Sequence, residues 1–213
     1  MKIGILGTGV VGQSLGLGFT GRGHDVMIGS RDPGGGKLDG WRAKAGERAS
    51  AGTFAEAAAF GELAVVATLW SGTENALRMA GAENLEGKVV IDVTNPLDFS
   101  AGAPRLALGF GDSGGEQVQR WLPGAKVVKA FNIITAGEMV DPDFPCGPPT
   151  MFICGNDEGA KHTVSGICTD FGWEVVDTGG IDGARLLEPL AMLWISHGIR
   201  SGAWSHAFKL LRK

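Results

Sequence analysis

Short apolar runs alternate with helix-like stretches along most of the chain. Several of these runs are apolar on both faces, which is typical of strands in a parallel sheet covered by helices. The alternation predicts an α/β fold with a doubly wound parallel sheet. The predicted strands lie at Lys2–Leu6, Asp25–Gly29, Glu62–Leu69, Lys88–Thr94, Lys126–Phe131, Thr150–Cys154 and Trp173–Val176.

Capping patterns suggest where helices begin. A helix is expected from about Val11 to Thr20 after the first strand. The form S/T-x-x-E, typical of a capping box, occurs at Thr53–Glu56, Ser71–Glu74 and Ser113–Glu116. The first two lie where a helix crossing between strands should begin.

The C-terminal part of the chain is predicted to pack onto the rest. We expect residues 1–213 to form one domain, with residues 133–213 as a C-terminal extension. The apolar stretch Leu186–Ile199 is interrupted by Glu188, Pro189 and His197, so it falls short of the about 18 apolar residues that cross a membrane. It has more apolar positions than one helix face needs. We therefore expect a helix that closes a cleft beside the predicted sheet and contributes to a homodimer.

Composition excludes several classes of protein. The net charge is −4 and forms no basic stripe, so nucleic acid is not an expected partner. The 3 cysteines form no C-x-x-C pair, which favours reduced thiols over disulfides or a zinc site. No tyrosine is present, which excludes dehydrogenases that use a tyrosine acid. The first residues lack the pattern of a signal region, so a cytoplasmic location without membrane association is expected.

Glycine is the unusual residue, with 36 among 213, more than twice the usual share of about 7%. Six residues after the first strand fit the pattern G-x-G-x-x-G: Gly7, Thr8, Gly9, Val10, Val11 and Gly12. Between a strand and a helix this pattern predicts a Rossmann dinucleotide site. Gly7 is expected to make the tight turn, Gly9 to admit a pyrophosphate and Gly12 to let the helix approach the strand. A glycine turn without a ligand is the alternative.

The residues after the second strand favour NADP(H) over NAD(H). Ser30 and Arg31 stand at its end, with Lys37 within reach of the same loop. A hydroxyl and a guanidinium suit a 2′-phosphate, whereas a carboxylate would suit a free ribose hydroxyl. Asp32 leaves another possibility open, since it could pair with Arg31 in an ordinary surface salt bridge.

Further cofactor contacts are expected at the carboxyl ends of later strands, where ligands of such sheets bind. The amides of Asn95 and Asn132 are suited to face a nicotinamide carboxamide. Trp70 could flank a cofactor ring or simply cover the edge of the sheet. The full set expected here is Thr68, Leu69, Trp70, Asn95, Pro96, Phe131 and Asn132. Asp92, in an apolar strand, is expected to bond nearby backbone.

Longer segments resemble a known family. They are similar to the NADPH oxidoreductases that depend on the deazaflavin coenzyme F420. The segments are Gly23–Arg31, Asp92–Leu97, Val127–Asn132, Cys154–Asp157 and Ala184–Leu190. The segments Lys129–Asn132 and Cys154–Asp157 also look like the cytosolic NADPH–flavin oxidoreductase domain of the six-transmembrane metalloreductases.

The resemblance implies hydride transfer between NADPH and a flat tricyclic acceptor, either coenzyme F420 or a flavin (FAD or FMN). Position and dryness then suffice for the chemistry, and no acid, base or metal is required. Asn132 is expected to orient the nicotinamide or the acceptor. The deazaflavin enzymes carry histidine at this position, whereas Asn132 matches the metalloreductases, so the acceptor stays open.

Two other functions are compatible with the sequence. One is an NADPH-dependent reductase of an unrelated small substrate, held by the glycine-rich loop Asp98–Gly115. The other is a binding protein that senses redox state by holding NADP(H) without catalysis.

Overall fold

A computed structural model describes all residues, 1–213. The α-helices are Val10–Gly21 (α1), Asp39–Ala45 (α2), Phe54–Phe60 (α3), Trp70–Ala80 (α4), Gly114–Trp121 (α5), Glu158–Asp170 (α6) and Ala184–Ser201 (α7). The strands are Lys2–Leu6 (β1), Asp25–Ser30 (β2), Ala49–Thr53 (β3), Leu63–Val66 (β4), Val89–Asp92 (β5), Leu97–Asp98 (β6), Arg105–Leu106 (β7), Lys126–Lys129 (β8), Thr150–Gly155 (β9) and Glu174–Asp177 (β10).

Eight strands form the central sheet, in the order β10-β9-β8-β5-β4-β1-β2-β3. The chain order reverses between β1 and β4, which makes the carboxyl ends of these strands the expected ligand edge. The predicted doubly wound α/β fold, a Rossmann fold, is confirmed. The sheet is not wholly parallel, however, because β9 pairs antiparallel with β8 and places Gly155 opposite Val128.

Each face of the sheet carries its own core. Because side chains alternate along a strand, Ile5 enters the core under α1 and α6, and the next residue, Leu6, enters the core under α3, α4 and α5. All four residues of β4 are buried. This burial explains why the central strands are apolar on both faces.

Two local predictions need correction. The sequence missed β3, whose residues Ala49–Thr53 are small and only weakly apolar. Ser71 is not a cap, since α4 already begins at Trp70. Thr53, by contrast, forms a complete capping box with Glu56. The Ser113 side chain likewise accepts a hydrogen bond from the backbone N–H of Glu116.

The C-terminal segment is part of the main fold. Residues 133–213 contribute strands β9 and β10 to the central sheet and helix α6 to one of its faces before α7 begins. One core cluster extends from Ile3 to Ala191. The tail after α7 runs back along β9, where the N–H of Thr150 donates to the carbonyl of Phe208 at 2.8 Å. No helix combines the length and apolar character needed to span a membrane. The cytoplasmic location stays a prediction.

Candidate functional site

Two glycines of the loop between β1 and α1 are fixed by space and backbone geometry. Gly7 has φ of +134°, and a Cβ there would overlap the carbonyl of Ala67. A Cβ on Gly12 would overlap the carbonyl of Gly7. Gly7 therefore makes the turn, and Gly12 lets α1 lie against it, as the pattern G-x-G-x-x-G requires.

Gly9 lies in a different environment, because a Cβ there would meet nothing within 4 Å. Gly9 is the N-cap of α1, and no side chain caps this end of the helix. The first turn holds no acidic residue, and Val10 is 75% exposed. The free amides and the positive end of the helix therefore face open space, which fits a cofactor pyrophosphate.

The end of β2 presents unpaired positive charge. The Ser30 hydroxyl accepts a hydrogen bond from the backbone N–H of Asp32 at 3.0 Å. Arg31 forms no ion pair with Asp32, so the salt bridge left open by the sequence does not form. Arg31 and Lys37 are both exposed. Their side chains remain available to a phosphate.

After β4, only part of the predicted set is open to a ligand. The hydroxyls of Thr68 and Thr73 hydrogen-bond at 2.9 Å, which holds the strand end to α4. Leu69 is 77% exposed. Trp70 stacks on Trp121 with ring centroids 5.5 Å apart and packs against the second core. In this structure Trp70 packs α4 against α5, and its contact with a cofactor ring stays a prediction.

Asn95 and Asn132 bond to each other across the ends of β5 and β8. The Asn132 amide donates to the Asn95 side-chain oxygen at 3.1 Å and to the Leu187 carbonyl at 3.0 Å. The Asn95 amide in turn donates to the Asn132 carbonyl at 2.7 Å. Asn132 is buried, and its Oδ1 has no partner. The structure therefore leaves one buried acceptor unpaired beside Asn95.

Phe131 and Pro96 frame the asparagines without exposing much surface. Phe131 adopts φ of +58°, a strained conformation for an aromatic residue, and its side chain is 1% exposed. Its N–H faces the sulfur of Met151 at 3.1 Å. Pro96 is also buried. Direct contact of Phe131 with a ligand, which the sequence predicts, therefore stays a prediction.

A buried charge cluster lies at the ends of the same two strands. The Lys129 ammonium lies 2.8 Å from a carboxylate oxygen of Asp92 and 3.1 Å from one of Glu188. It also donates to the Thr94 carbonyl at 2.7 Å. Burial by itself lowers the pKa of Lys129, but the two adjacent carboxylates outweigh burial and raise it. We call Asp92, Lys129 and Glu188 the buried charge cluster.

The backbone contact predicted for Asp92 is present. One oxygen of Asp92 accepts from the Thr94 N–H at 2.9 Å and from the Thr94 hydroxyl at 2.7 Å. The cluster therefore holds the turn between β5 and Asn95. Burial also raises the pKa of the nearby Cys154 thiol to about 12, so this cysteine stays protonated and inert.

Glu188 connects α7 to the beginning of α5. Its two oxygens accept from the backbone N–H groups of Gly114 and Gly115 at 2.9 and 3.0 Å. A Cβ on Gly115 would come 2.8 Å from the Ala184 Cβ and 3.0 Å from the Lys129 Cε. These glycines end the loop Asp98–Gly115. The loop begins within the β6–β7 hairpin. The last residues of this loop therefore contact α7.

Sequence reasoning missed Lys129 and Glu188 as site residues. A lysine at the end of an apolar strand and a glutamate inside an apolar helix are the available signals. Neither signal shows that the two side chains meet, because they lie 59 positions apart and on different elements.

Comparisons with known proteins agree with this arrangement. The family model for coenzyme F420-dependent NADP oxidoreductases matches residues 2–96. An F420-dependent NADP reductase of Methanothermobacter marburgensis is 31% identical, over 94% of both chains. The metalloreductase STEAP3 of Rattus norvegicus is 32% identical over 90% of this chain, but the match spans only 37% of that protein.

A solved structure gives the broadest agreement. It is that of a candidate F420-dependent NADP reductase from Arthrobacter sp. FB24, with a TM-score of 0.94 and 41% identity over the full length of both chains. Fold and sequence together define an NADP-dependent oxidoreductase. The chain belongs to the family of F420-dependent NADP reductases.

The buried charge cluster makes a prediction about stability. We expect Lys129→Met to lower the free energy of unfolding by about 3–5 kcal/mol, because two buried carboxylates would lose their cation. Lys126→Met is the matched control on the same strand, since Lys126 is 45% exposed and its ion pair with Asp157 is long, 3.3 Å. Urea unfolding followed by tryptophan fluorescence measures both. Equal stability of the two variants would contradict the prediction.

Proposed function

We propose that this protein transfers hydride between NADP(H) and a deazaflavin of the coenzyme F420 type. The observation that carries the proposal is the open, uncapped N-terminus of α1 at Gly9, on the same edge of the sheet as Asn95 and Asn132. A dinucleotide with its pyrophosphate at Gly9 would extend toward β2 on one side and toward β5 and β8 on the other.

The β2 side supports binding of NADP(H) in particular. The exposed and unpaired side chains of Arg31 and Lys37 are suited to a 2′-phosphate, and the Ser30 hydroxyl stands beside them. An arginine can bind a phosphate through two parallel hydrogen bonds. Carboxylate recognition of a free ribose has only Asp32 available in this loop.

The acceptor half is supported by exposed apolar side chains and by the names of relatives. Val10, Leu69 and Phe110 are each at least 75% exposed, and all three lie in segments that follow sheet strands. Flat aromatic rings bind against apolar side chains. The Methanothermobacter relative is named for coenzyme F420, which makes a deazaflavin our first choice over a flavin.

The protein's part in the reaction would be placement and exclusion of water. When bound, NADPH would supply the hydride, that is two electrons with one proton, and the second proton that the acceptor takes up would come from bulk solvent outside the site. The backbone at Gly9 would hold the pyrophosphate, and the hydrogen-bonded pair of Asn95 and Asn132 would orient the carboxamide. The ammonium of Lys129 already has three partners, so no acid or base is assigned.

Turnover with defined acceptors tests this function. NADPH oxidation followed at 340 nm should be fast with coenzyme F420 and slow with FMN, FAD or a quinone. Fast turnover with a flavin and none with coenzyme F420 would identify a flavin, and not the deazaflavin, as the acceptor. Tight NADPH binding without turnover on any acceptor would overturn the proposal and favour a redox-sensing binding protein.

Cofactor choice is tested at Arg31. We expect Arg31→Ala to weaken NADPH binding by about 1–3 kcal/mol, the range of a lost charge-assisted hydrogen bond, and to leave NADH binding unchanged. Arg48→Ala is the matched control, because Arg48 pairs with Asp25 at the opposite end of β2, at 2.9 Å. Calorimetric titration measures both ligands. Equal NADPH affinity of Arg31→Ala and the unaltered protein would place the phosphate elsewhere.

A homodimer is the proposed assembly. Leu186, Leu193 and Ile199 are exposed along α7, each by more than half of its surface. Sedimentation at micromolar concentration should give a dimer, and Leu193→Glu should give a monomer, because a charge at the centre of an apolar interface is costly. A monomeric unaltered protein would contradict the assembly without affecting the proposed reaction.

A further inference from the structure

The buried charge cluster does not neutralise itself. It contains two carboxylates and one ammonium, and all three side chains are at most 2% exposed. Another ion pair between α5 and α7, Glu116 with Arg185, is neutral as a unit, and its atoms approach to 2.6 Å. With both acids ionised, the cluster carries one net negative charge.

Besides Lys129, four donors point at the two carboxylates of the cluster. Asp92 receives two bonds from Thr94 in addition to Lys129. Glu188 receives two backbone N–H groups at the positive end of α5, again in addition to Lys129. Both Thr94 donors reach the same oxygen of Asp92, and its other oxygen has only the Lys129 ammonium beside it, whereas the two N–H groups reach different oxygens of Glu188. The end of α5 offsets part of the negative charge, since a helix N-terminus carries roughly half a unit of positive charge.

The cluster lies just beneath the wall of the cleft that holds the two asparagines. Asp92 and Lys129 are the last residues of β5 and β8. Asn95 follows Asp92 by three positions and is the first residue of this strand end to be partly exposed. Three residues span at most about 10 Å, so the Cα atoms of Asp92 and Asn95 lie within that range, and the residues between them, Val93 and Thr94, are buried. At such a distance a buried charge interacts more strongly with another charge than it would in water, because the protein interior has a low dielectric constant.

We propose that the net negative charge of the buried charge cluster stabilises the oxidised, positively charged nicotinamide ring relative to the reduced, neutral one. This inference rests on the proposed NADP(H) site. Asp92 and Glu188 would act on the ring through the electric field of the cluster, and they would touch no reacting atom. The cluster would thereby make bound NADPH a better hydride donor. A purely structural role would need only a neutral pair of one acid with Lys129.

The test compares the affinities of the protein for NADP⁺ and NADPH. In Glu188→Gln, the remaining oxygen can keep the bonds to Gly115 and Lys129 while one negative charge is removed. We expect the ratio of the NADP⁺ dissociation constant to that of NADPH to rise about three- to tenfold. Asp92→Asn removes the same charge from the other acid, and serves as a second variant if Glu188→Gln does not fold.

Three controls separate charge from structure. Glu116→Gln makes the same chemical change between α5 and α7 but outside the cluster. Glu188→Asp keeps the negative charge within the cluster. Both variants should leave the ratio of the two dissociation constants unchanged. A nicotinamide-free fragment, 2′-phospho-ADP-ribose, should bind Glu188→Gln as it binds the unaltered protein. If the two dissociation constants change by the same factor in Glu188→Gln and Asp92→Asn, the inference is wrong. If the unaltered protein binds neither nucleotide, the proposed function fails instead.

Discussion

The ion pairs of Lys129 with Asp92 and Glu188 are the interaction on which the site depends. Buried charges are tolerated only when they are paired and hydrogen-bonded, so Lys129 requires partners from two other elements. Asp92 comes from β5, and Glu188 comes from α7. Helix α7 must therefore dock for the central sheet to keep a lysine at 0% exposure. Because Glu188 also binds the first amides of α5, a single cluster connects the sheet, the last helix and the wall of the cleft.

This constraint divides the candidate site into a closed half and an open half. On the β5–β8 side, the polar groups of Asn95, Asn132 and Lys129 are nearly all used within the protein. On the β1–β2 side, the amides at Gly9 and the side chain of Arg31 have no partners. A rigid wall suits the half where ring geometry matters, because a misplaced ring slows hydride transfer. Free donors suit the half that binds phosphates.

The sequence was sufficient for the elements with a strong local pattern and insufficient for contacts made across the fold. The glycine spacing from Gly7 to Gly12 predicted the turn and the helix, because the positive φ of Gly7 and the contact of Gly12 with the Gly7 carbonyl are local requirements. Strand β3 escaped notice because Ala49–Thr53 is paired at one edge of the sheet and needs little apolar surface. The pairing of Lys129 with Glu188 depends on how α7 docks, and no periodicity encodes that. The antiparallel pairing of β9 likewise depends on the path of the loop after Asn132.

The asparagine at position 132 has a physical explanation that does not involve the acceptor. Its amide nitrogen donates two hydrogen bonds at once, one to the Asn95 side chain and one to the Leu187 carbonyl. A neutral imidazole has one N–H donor, and a charged one places its two donors on opposite sides of the ring. A histidine at this position could not make both bonds from one atom. Asn132 therefore reflects how this chain fastens α7 to β5, and its resemblance to the metalloreductases at this position carries little weight in choosing between a deazaflavin and a flavin.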